Sequence, residues 1–273
     1  MKSVIFVMTA AAAILLSTGA QASLVATAGG LGVYDNVNNV TWTSDANLMA
    51  TQAASYSGGA SAYVAAVIAA SGGVINDTPN DVDTPSNSGT YTLSANDFIT
   101  SGANAGMMSW FGAKAWVNYL NVTNYAGTNT WALPTTVDSN SNFGYPNGAS
   151  GNPAQSSSQM AQLLYGGLGQ VAGSSITTTH NSSYALFSQV QNYVYWSGAE
   201  YSAYPLYAWY FTTDDGYNGY GNKVDPDVVK RYALAVSPGQ VGELSAVPVP
   251  GAAWLLGSGL MGLAGLRRRT QRR

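Results

Sequence analysis

Residues 193–220 read YVYWSGAEYSAYPLYAWYFTTDDGYNGY, and this aromatic-rich stretch encodes the sheet of the domain. Eight Tyr, two Trp and one Phe fall within it. Successive side chains of a strand point to opposite faces, so Trp209 and Phe211 share one face. The stretch therefore predicts strands at 193–197 and 207–212 with an aromatic face in the core.

Segments before this stretch are typical of helices and of one hairpin. Ser109 is a candidate N-cap for a helix over 110–120, whose apolar residues recur with helical spacing. The Ala-rich segment 53–70 also predicts a helix, broken in its first half by Gly58 and Gly59. Residues 32–34 with 40–42 predict a hairpin. Helices early in the chain and antiparallel strands late in it indicate an α+β domain rather than alternating βαβ units.

The composition excludes several chemistries and partners. The chain has 273 residues, no Cys and a single His, so disulfides, thiolate metal sites and multi-histidine metal sites are ruled out. Residues 23–246 hold four basic and thirteen acidic residues, a formal charge of −9. Such a surface repels a phosphate backbone, so nucleic acid is not expected as a partner.

The first 22 residues have the pattern of a secretory signal peptide. Lys2 precedes an apolar run over 4–16, and Ala20 and Ala22 form a small-residue cleavage site. The run has about 13 residues, fewer than the roughly 20 that a helix needs to span a bilayer. Export is therefore expected, with signal peptidase as a processing partner and residues 1–22 removed.

The end of the chain has the pattern of a sorting tail. An apolar stretch over 252–266 is followed by arginines, which favours a short transmembrane segment with a cytoplasmic end. The tail, residues 247–273, resembles a PEP-CTERM sorting signal in its proline pair, its apolar run and its basic cluster: Pro248, Pro250, Arg267, Arg268 and Arg269.

That resemblance implies processing by exosortase from an inner-membrane intermediate. It also implies a Gram-negative bacterium and delivery to the cell surface or the extracellular matrix. Val249 stands where the family has Glu, which is a departure from its Pro-Glu-Pro tripeptide. A plain C-terminal membrane anchor is the alternative interpretation.

Between these ends lies one domain, residues 23–246, with two predicted loop insertions at 71–94 and 137–156 that are rich in turn-forming residues. Its ordered motifs resemble the DUF1566 family, also called the Lcl C-terminal domain: GVYD and VTW (32–35, 40–42), MSW and AW (108–110, 115–116), WALPT (131–135), YWSGAEY (195–201), AWYF (208–211) and YALAV (232–236). The resemblance implies a C-type-lectin-like α+β fold with an antiparallel sheet, a few helices and long loops.

The same resemblance implies a ligand class, with a departure that changes it. The adhesin after which the family is named binds sulfated glycosaminoglycans. Ala132 and Ser237 stand where the family has Arg, and the domain is acidic, so polyanionic ligands are not expected. The expected partner is extracellular polysaccharide or another surface molecule.

Aromatic residues around the predicted strands are candidates for sugar stacking. An aromatic face suits the C–H-rich side of a pyranose, while neighbouring amides and carboxylates bind its hydroxyls. The candidate ligand-binding residues are Tyr201, Tyr204, Trp209, Tyr217, Tyr220 and Asn222. Four of these aromatics, Tyr201, Tyr204, Tyr217 and Tyr220, are expected in loops. The alternative is that the aromatics form a core face of a strand pair.

Clusters of carboxylates beside this region make calcium a possible cofactor, and no other cofactor is expected. Calcium takes about six to eight oxygen ligands. The candidate metal ligands are Asp214, Asp215, Asp225 and Asp227, and they do not fit an EF-hand loop. The alternative is that these residues are plain turn formers.

No catalytic residue is assigned. His180 lies in a Thr/Ser/Asn segment typical of an exposed loop, and Glu200 with Asp214 or Asp215 is a possible carboxylate pair for glycoside hydrolysis. The expected function is a non-enzymatic exported surface or biofilm-matrix protein with a lectin-like domain. Two alternatives stay open: a structural matrix protein with no specific ligand, and a polysaccharide-acting hydrolase.

Overall fold

The computed structural model describes residues 24–27, 29–138, 141–143, 158–224 and 230–243. The predicted signal peptide, the predicted sorting tail and the candidate ligands Asp225 and Asp227 lie outside these ranges. Among the described residues, no helix combines the length and apolar character that crossing a membrane requires.

The described chain is an α+β fold in which antiparallel sheets carry a few helices. The strands are β1 (Leu24–Ala26), β2 (Gly32–Asp35), β3 (Val40–Thr43), β4 (Val74–Asn76), β5 (Thr90–Thr92), β6 (Asn142–Phe143), β7 (Val194–Glu200), β8 (Tyr207–Thr212), β9 (Tyr217–Asn222) and β10 (Val236–Pro238). The helices are α1 (Leu48–Ser55), α2 (Gly59–Ala70), α3 (Trp110–Val122) and α4 (Gln159–Ala161), which continues as a π-helix (Gln162–Gly167). Single 3₁₀ turns cover Ala95–Asp97, Tyr125–Gly127 and Ser182–Leu186.

The strands form three sheets. The first has the order β1-β2-β3-β10, the second is the pair β4-β5, and the third has the order β6-β9-β8-β7. All of these pairings are antiparallel. The predicted hairpin over 32–42 is confirmed as β2 and β3, with Val33 opposite Trp42 and Asn39 in the left-handed region at φ +51°.

The predicted helices are confirmed with one interruption. The Ser109 side chain accepts a hydrogen bond of 3.0 Å from the Gly112 amide, which caps the N-terminus of α3. The Ala-rich segment forms two helices, because Gly58 at φ +102° ends the turn between α1 and α2.

The third sheet separates two apolar cores. Trp196 on β7 packs on the side of α1, α2 and α3, while its neighbour Tyr195 packs on the side of the first sheet. Both side chains are almost fully buried, as strand alternation requires between two packed layers. The Trp196 Nε1 donates a 2.9 Å hydrogen bond to the Met108 carbonyl, which ties β7 to the start of α3.

The segment 71–94 is not a loop insertion throughout, which corrects the sequence prediction. Within it β4 and β5 pair, and Ile75 and Leu93 are buried in the helical core. Tyr91 stacks on Phe111 with ring centroids 4.0 Å apart. Each of these strands has only three residues, too few for a clear alternation of apolar and polar side chains. The Gly, Ser and Pro residues between them give the whole segment the composition of a loop.

Strand β9 is the second correction, because Tyr217 and Tyr220 were expected in loops and lie in a strand. Gly219 and Gly221 depress strand propensity, yet the packing needs them. A Cβ at Gly219 would come within 2.8 Å of the Tyr210 ring. The guanidinium of Arg231 lies over the ring of Tyr210 at 4.6 Å, beside Gly221, where a Cβ would collide with it.

Candidate functional site

Four tyrosines lie together at one end of the third sheet: Tyr201, Tyr204, Tyr207 and Tyr220, which we name the tyrosine surface. The strand register assembles them. Tyr207 pairs with Asn222 and Trp209 pairs with Tyr220, so these side chains share one face of the sheet. Tyr201 joins them from the connection that follows β7.

The tyrosine surface exposes a large aromatic area. Tyr201 and Tyr220 stack with centroids 4.1 Å apart and planes 16° from parallel. Tyr204 and Tyr220 are 61% and 39% exposed, whereas the other aromatics of strands β7, β8 and β9 are buried or half-buried. Exposed aromatic rings clustered on one face are a common mark of a binding surface.

The connection between β7 and β8 is ordered by its own backbone hydrogen bonds. The Tyr201 amide donates to the Tyr207 carbonyl at 3.0 Å, and the Tyr207 amide donates to the Tyr204 carbonyl at 2.8 Å. The Tyr204 amide donates to the Tyr201 carbonyl at 3.1 Å. The rings are therefore positioned before any ligand arrives, which lowers the entropy cost of binding.

Trp209 lies beneath the surface rather than on it, which corrects its predicted role as a ligand contact. It is fully buried, and its ring meets Tyr201 and Tyr220 edge-on at 5.5 and 5.6 Å. The inward face of a central strand leaves a side chain of this size no access to solvent. Trp209 is therefore the support on which the two stacked tyrosines rest.

Asp138 holds this support in place, although it lies in a predicted loop insertion and no sequence pattern marks it. Its Oδ1 accepts a 2.8 Å hydrogen bond from Trp209 Nε1, and its Oδ2 accepts one of 3.1 Å from the Ser202 amide. Partial burial raises the pKa of Asp138, but the hydrogen bonds from Ser202 and Trp209 outweigh it and leave the pKa below its usual value. The carboxylate is therefore ionised at neutral pH.

The remaining predicted ligand residues divide between the surface and its surroundings. Asn222 lies at the edge of the tyrosine surface, where its Oδ1 accepts from the Val224 amide at 2.9 Å. Tyr217 lies near the other end of β9 and, by alternation, on the opposite face from Tyr220. The structure therefore does not bring Tyr217 to the surface. Tyr207, which does belong to it, is recognisable only through its alternation with Trp209.

The two described candidate metal ligands lie in the turn between β8 and β9. Asp214 is exposed, and the Asp215 carboxylate accepts hydrogen bonds from the Tyr217 amide at 2.9 Å and from the Thr212 hydroxyl. These bonds are those of a turn residue. Within the described ranges, no three His, Cys, Asp or Glu residues form a group able to hold a metal ion, and calcium stays a prediction.

The predicted carboxylate pair is separated by the length of a strand. Glu200 pairs with Ala208 at one end of β8, whereas Asp214 and Asp215 follow its other end. The four residues along β8 from Ala208 to its last residue, Thr212, already span roughly 13 Å, and both acids lie beyond Thr212. That separation exceeds the distance of about 5 to 9.5 Å used by glycosidases, so this pair does not fit the reaction.

Two other features carry no catalytic arrangement. His180 is exposed, as predicted, and stacks on Tyr184 at 4.1 Å. A cavity of about 510 Å³ is lined in part by Tyr91, Asp97 and Ser109. The Asp97 carboxylate accepts from the hydroxyls of both other residues, at 3.1 and 2.6 Å, so it is occupied in holding the Ser109 hydroxyl that caps α3.

Comparison with family models, with curated proteins and with solved structures gives no match to this chain. The class that the described residues define is an α+β domain with an exposed aromatic surface. The likeness to the DUF1566 and PEP-CTERM families stays a prediction from the motifs.

Proposed function

We propose that the protein is an exported, exosortase-sorted surface or matrix protein that binds polysaccharide through the tyrosine surface. The observation that carries the proposal is the exposure of Tyr204 and Tyr220 on an ordered base. The exposed part of each ring has no contact in the free domain, and it gains contact when a sugar ring covers it.

The charge of the domain favours a neutral glycan. Its formal charge is −9, and two of its four basic residues are withdrawn from solvent, because Lys223 is 0% and Arg231 is 6% exposed. A sulfated chain would meet few cations and many carboxylates. A neutral polysaccharide avoids that repulsion and still offers C–H faces for stacking.

The proposed contact has an apolar centre and a polar margin. Tyr204 and Tyr220 offer exposed ring area to the ligand, the tyrosine hydroxyls are both donors and acceptors, and Asn222 adds an amide at the edge. Few polar groups around an aromatic centre are the usual composition of a sugar-binding surface.

The test is binding of the full-length protein to neutral and acidic glycans, with calcium and with a chelator. We expect saturable binding to a neutral glycan, weakened by about 0.5–1.5 kcal/mol in each of Tyr204→Ala and Tyr220→Ala. Tyr217→Ala is the matched control, since Tyr217 shares β9 with Tyr220 but faces the other way. A flat response from folded protein would instead favour the structural matrix alternative. Loss of binding in chelator would support calcium.

The sorting part of the proposal rests on the tail alone. Replacing Arg267, Arg268 and Arg269 with Ser removes the stop-transfer charge. In cells that contain exosortase, we expect the processed surface form to disappear. Replacement of Arg272 and Arg273 is the control, and unchanged processing of the first variant would contradict the assignment.

A further inference from the structure

A lysine ammonium lies buried between two carboxylates on the helical side of the third sheet. Lys223 Nζ is 2.6 Å from Asp77 Oδ2 and 3.2 Å from Glu200 Oε2. The side chains of Lys223 and Asp77 are both 0% exposed, and that of Glu200 is 24% exposed. Asp77 follows β4, Lys223 follows β9 and Glu200 ends β7, so three elements meet at these atoms.

Aromatic rings enclose the contact. Lys223 Nζ lies 4.7 Å from the centroid of the Trp110 ring and 5.5 Å from that of Phe111. Taking two full charges into such a medium is costly, and transfer of one proton from the ammonium to the carboxylate removes both charges. The pair then consists of an amine and a carboxylic acid, which are the two partners of amide formation.

The charges around Asp77 act in both directions. Burial is the main cause that raises the pKa of Asp77; Lys223 opposes it, and the charges of Asp83 and Glu200 reinforce it, so the net direction is upward. Burial likewise lowers the pKa of the neighbouring Lys114. The surroundings therefore favour the neutral forms of Asp77 and Lys114.

The two oxygens of Asp77 have different environments. Oδ2 accepts from Lys223 Nζ and also from Asn80 Nδ2 at 2.8 Å. Oδ1 is buried and has no hydrogen-bond partner within the described part of the chain. Several other buried oxygens in the described residues also have no partner, but this one belongs to the carboxyl whose other oxygen contacts Nζ, which makes it the oxygen free to leave.

We infer that Lys223 and Asp77 join in an intramolecular isopeptide bond, with Glu200 as the catalytic residue. The Nζ lone pair attacks Asp77 Cγ, the Nζ–Cγ bond forms, and the Cγ–Oδ1 bond breaks. Oδ1 leaves as water with two protons, one from the carboxylic acid and one that Glu200 takes from Nζ and passes on. Glu200 is regenerated, and Oδ2 remains as the amide oxygen bound to Asn80.

The position of Glu200 suits proton transfer. A register shift in the pairing of β7 with β8 between Trp196 and Glu200 turns the end of the strand, and such irregularities re-aim side chains. The Thr78 amide donates to both oxygens of Glu200, at 3.3 and 3.2 Å, and fixes the carboxylate beside Nζ. Its partial exposure gives the released water a path to solvent.

The test is the intact mass of the full-length protein after denaturation. We expect wild type to be lighter by one water molecule than its sequence requires, once terminal processing is accounted for. Digestion should give one branched peptide that joins the segments containing Asp77 and Lys223. Glu200→Gln and Lys223→Arg should show the full mass, whereas the matched control Lys230→Arg should keep the loss.

Three results would overturn the inference. The first is the full mass in folded wild type, which would leave an ordinary ion pair. The second is loss of water that persists in Lys223→Arg, as an Asp77 succinimide would give. The third is an unchanged bond in Glu200→Gln, which would remove the role of Glu200. Should Lys223→Arg not fold, the wild-type branched peptide still decides the question.

Discussion

Two regions at the same end of the third sheet place their side chains against the usual preference of each residue type. On one face Tyr204 and Tyr220 expose aromatic rings, and on the helical side Lys223 and Asp77 bury opposite charges. Each placement is unfavourable in the free, unmodified chain, since exposed rings lose packing and buried charges lose water. Such exceptions, rather than the regular cores, indicate where this molecule acts.

The largest effect is expected on the buried side, from Lys223→Ala. Loss of a covalent tie that closes a loop of over a hundred residues costs on the order of 5 kcal/mol, and the Asp77 carboxyl left buried without Lys223 adds about 1–3 kcal/mol. Urea unfolding measures the change, with Lys230→Ala as the control. A decrease in the free energy of unfolding of less than about 1 kcal/mol, as for an ordinary surface residue, would contradict this prediction.

A smaller effect is expected beneath the exposed side, from Trp209→Phe. The variant keeps an aromatic ring but removes the Nε1 donor to Asp138, a bond worth about 1–2 kcal/mol. Thermal unfolding should show this loss, and glycan affinity should fall with it because the stacked tyrosines lose their support. If the variant is less stable but binds the glycan with unchanged affinity, Trp209 stabilises the fold without contributing to binding.

On the exposed side itself, Tyr204→Ala should change binding and leave stability alone. Its ring is 61% exposed, so the free energy of unfolding should stay within about 0.5 kcal/mol of wild type. Glycan affinity should fall by about 0.5–1.5 kcal/mol, the usual value of one aromatic contact. Titration calorimetry beside a urea curve measures both, and Tyr217→Ala serves as the control. An equal fall in both quantities would make Tyr204 a packing residue.

The smallest effect concerns pH. The pKa of Asp138 in the folded state lies below its unfolded value, so its stabilising contribution is full above the unfolded pKa of about 3.9 and is lost as the pH falls through the folded value. The stability gap between wild type and Asp138→Asn should therefore close in acid. A gap that stays constant down to about pH 3 would show that the hydrogen bonds to Asp138 do not depend on its charge.

Local patterns predicted most regular elements and part of the candidate site. The Ser109 cap, the β2–β3 hairpin and strands β7 and β8 follow from periodicity within short windows. Whether Trp209 contacts a ligand or supports the residues that do depends on which side chains cover its face of the sheet. A short stretch of sequence does not show that. Strand β9 escaped prediction because its glycines are selected by the Tyr210 and Arg231 side chains that lie over them.

The charged cluster was beyond sequence reasoning for a related reason. Lys223 and Asp77 are 146 positions apart, and Asp77 sits in a segment whose composition is typical of a loop. Glu200 was considered as an acid, but with the wrong partners, because the acids near it in sequence lie at the far end of β8. Long-range contacts of this kind become visible only when the sheet order is known.

The position of the buried cluster beside the tyrosine surface has a mechanical consequence. Tyr201 directly follows Glu200, and Lys223 directly follows Asn222, so tension on a bound glycan enters the chain next to the proposed isopeptide bond. With that bond in place, a pull on the two ends of the chain bypasses the 146-residue span between its anchors. Roughly 500 Å of contour length then cannot extend under force. The residues between the two anchors stay folded while the covalent bond carries the load.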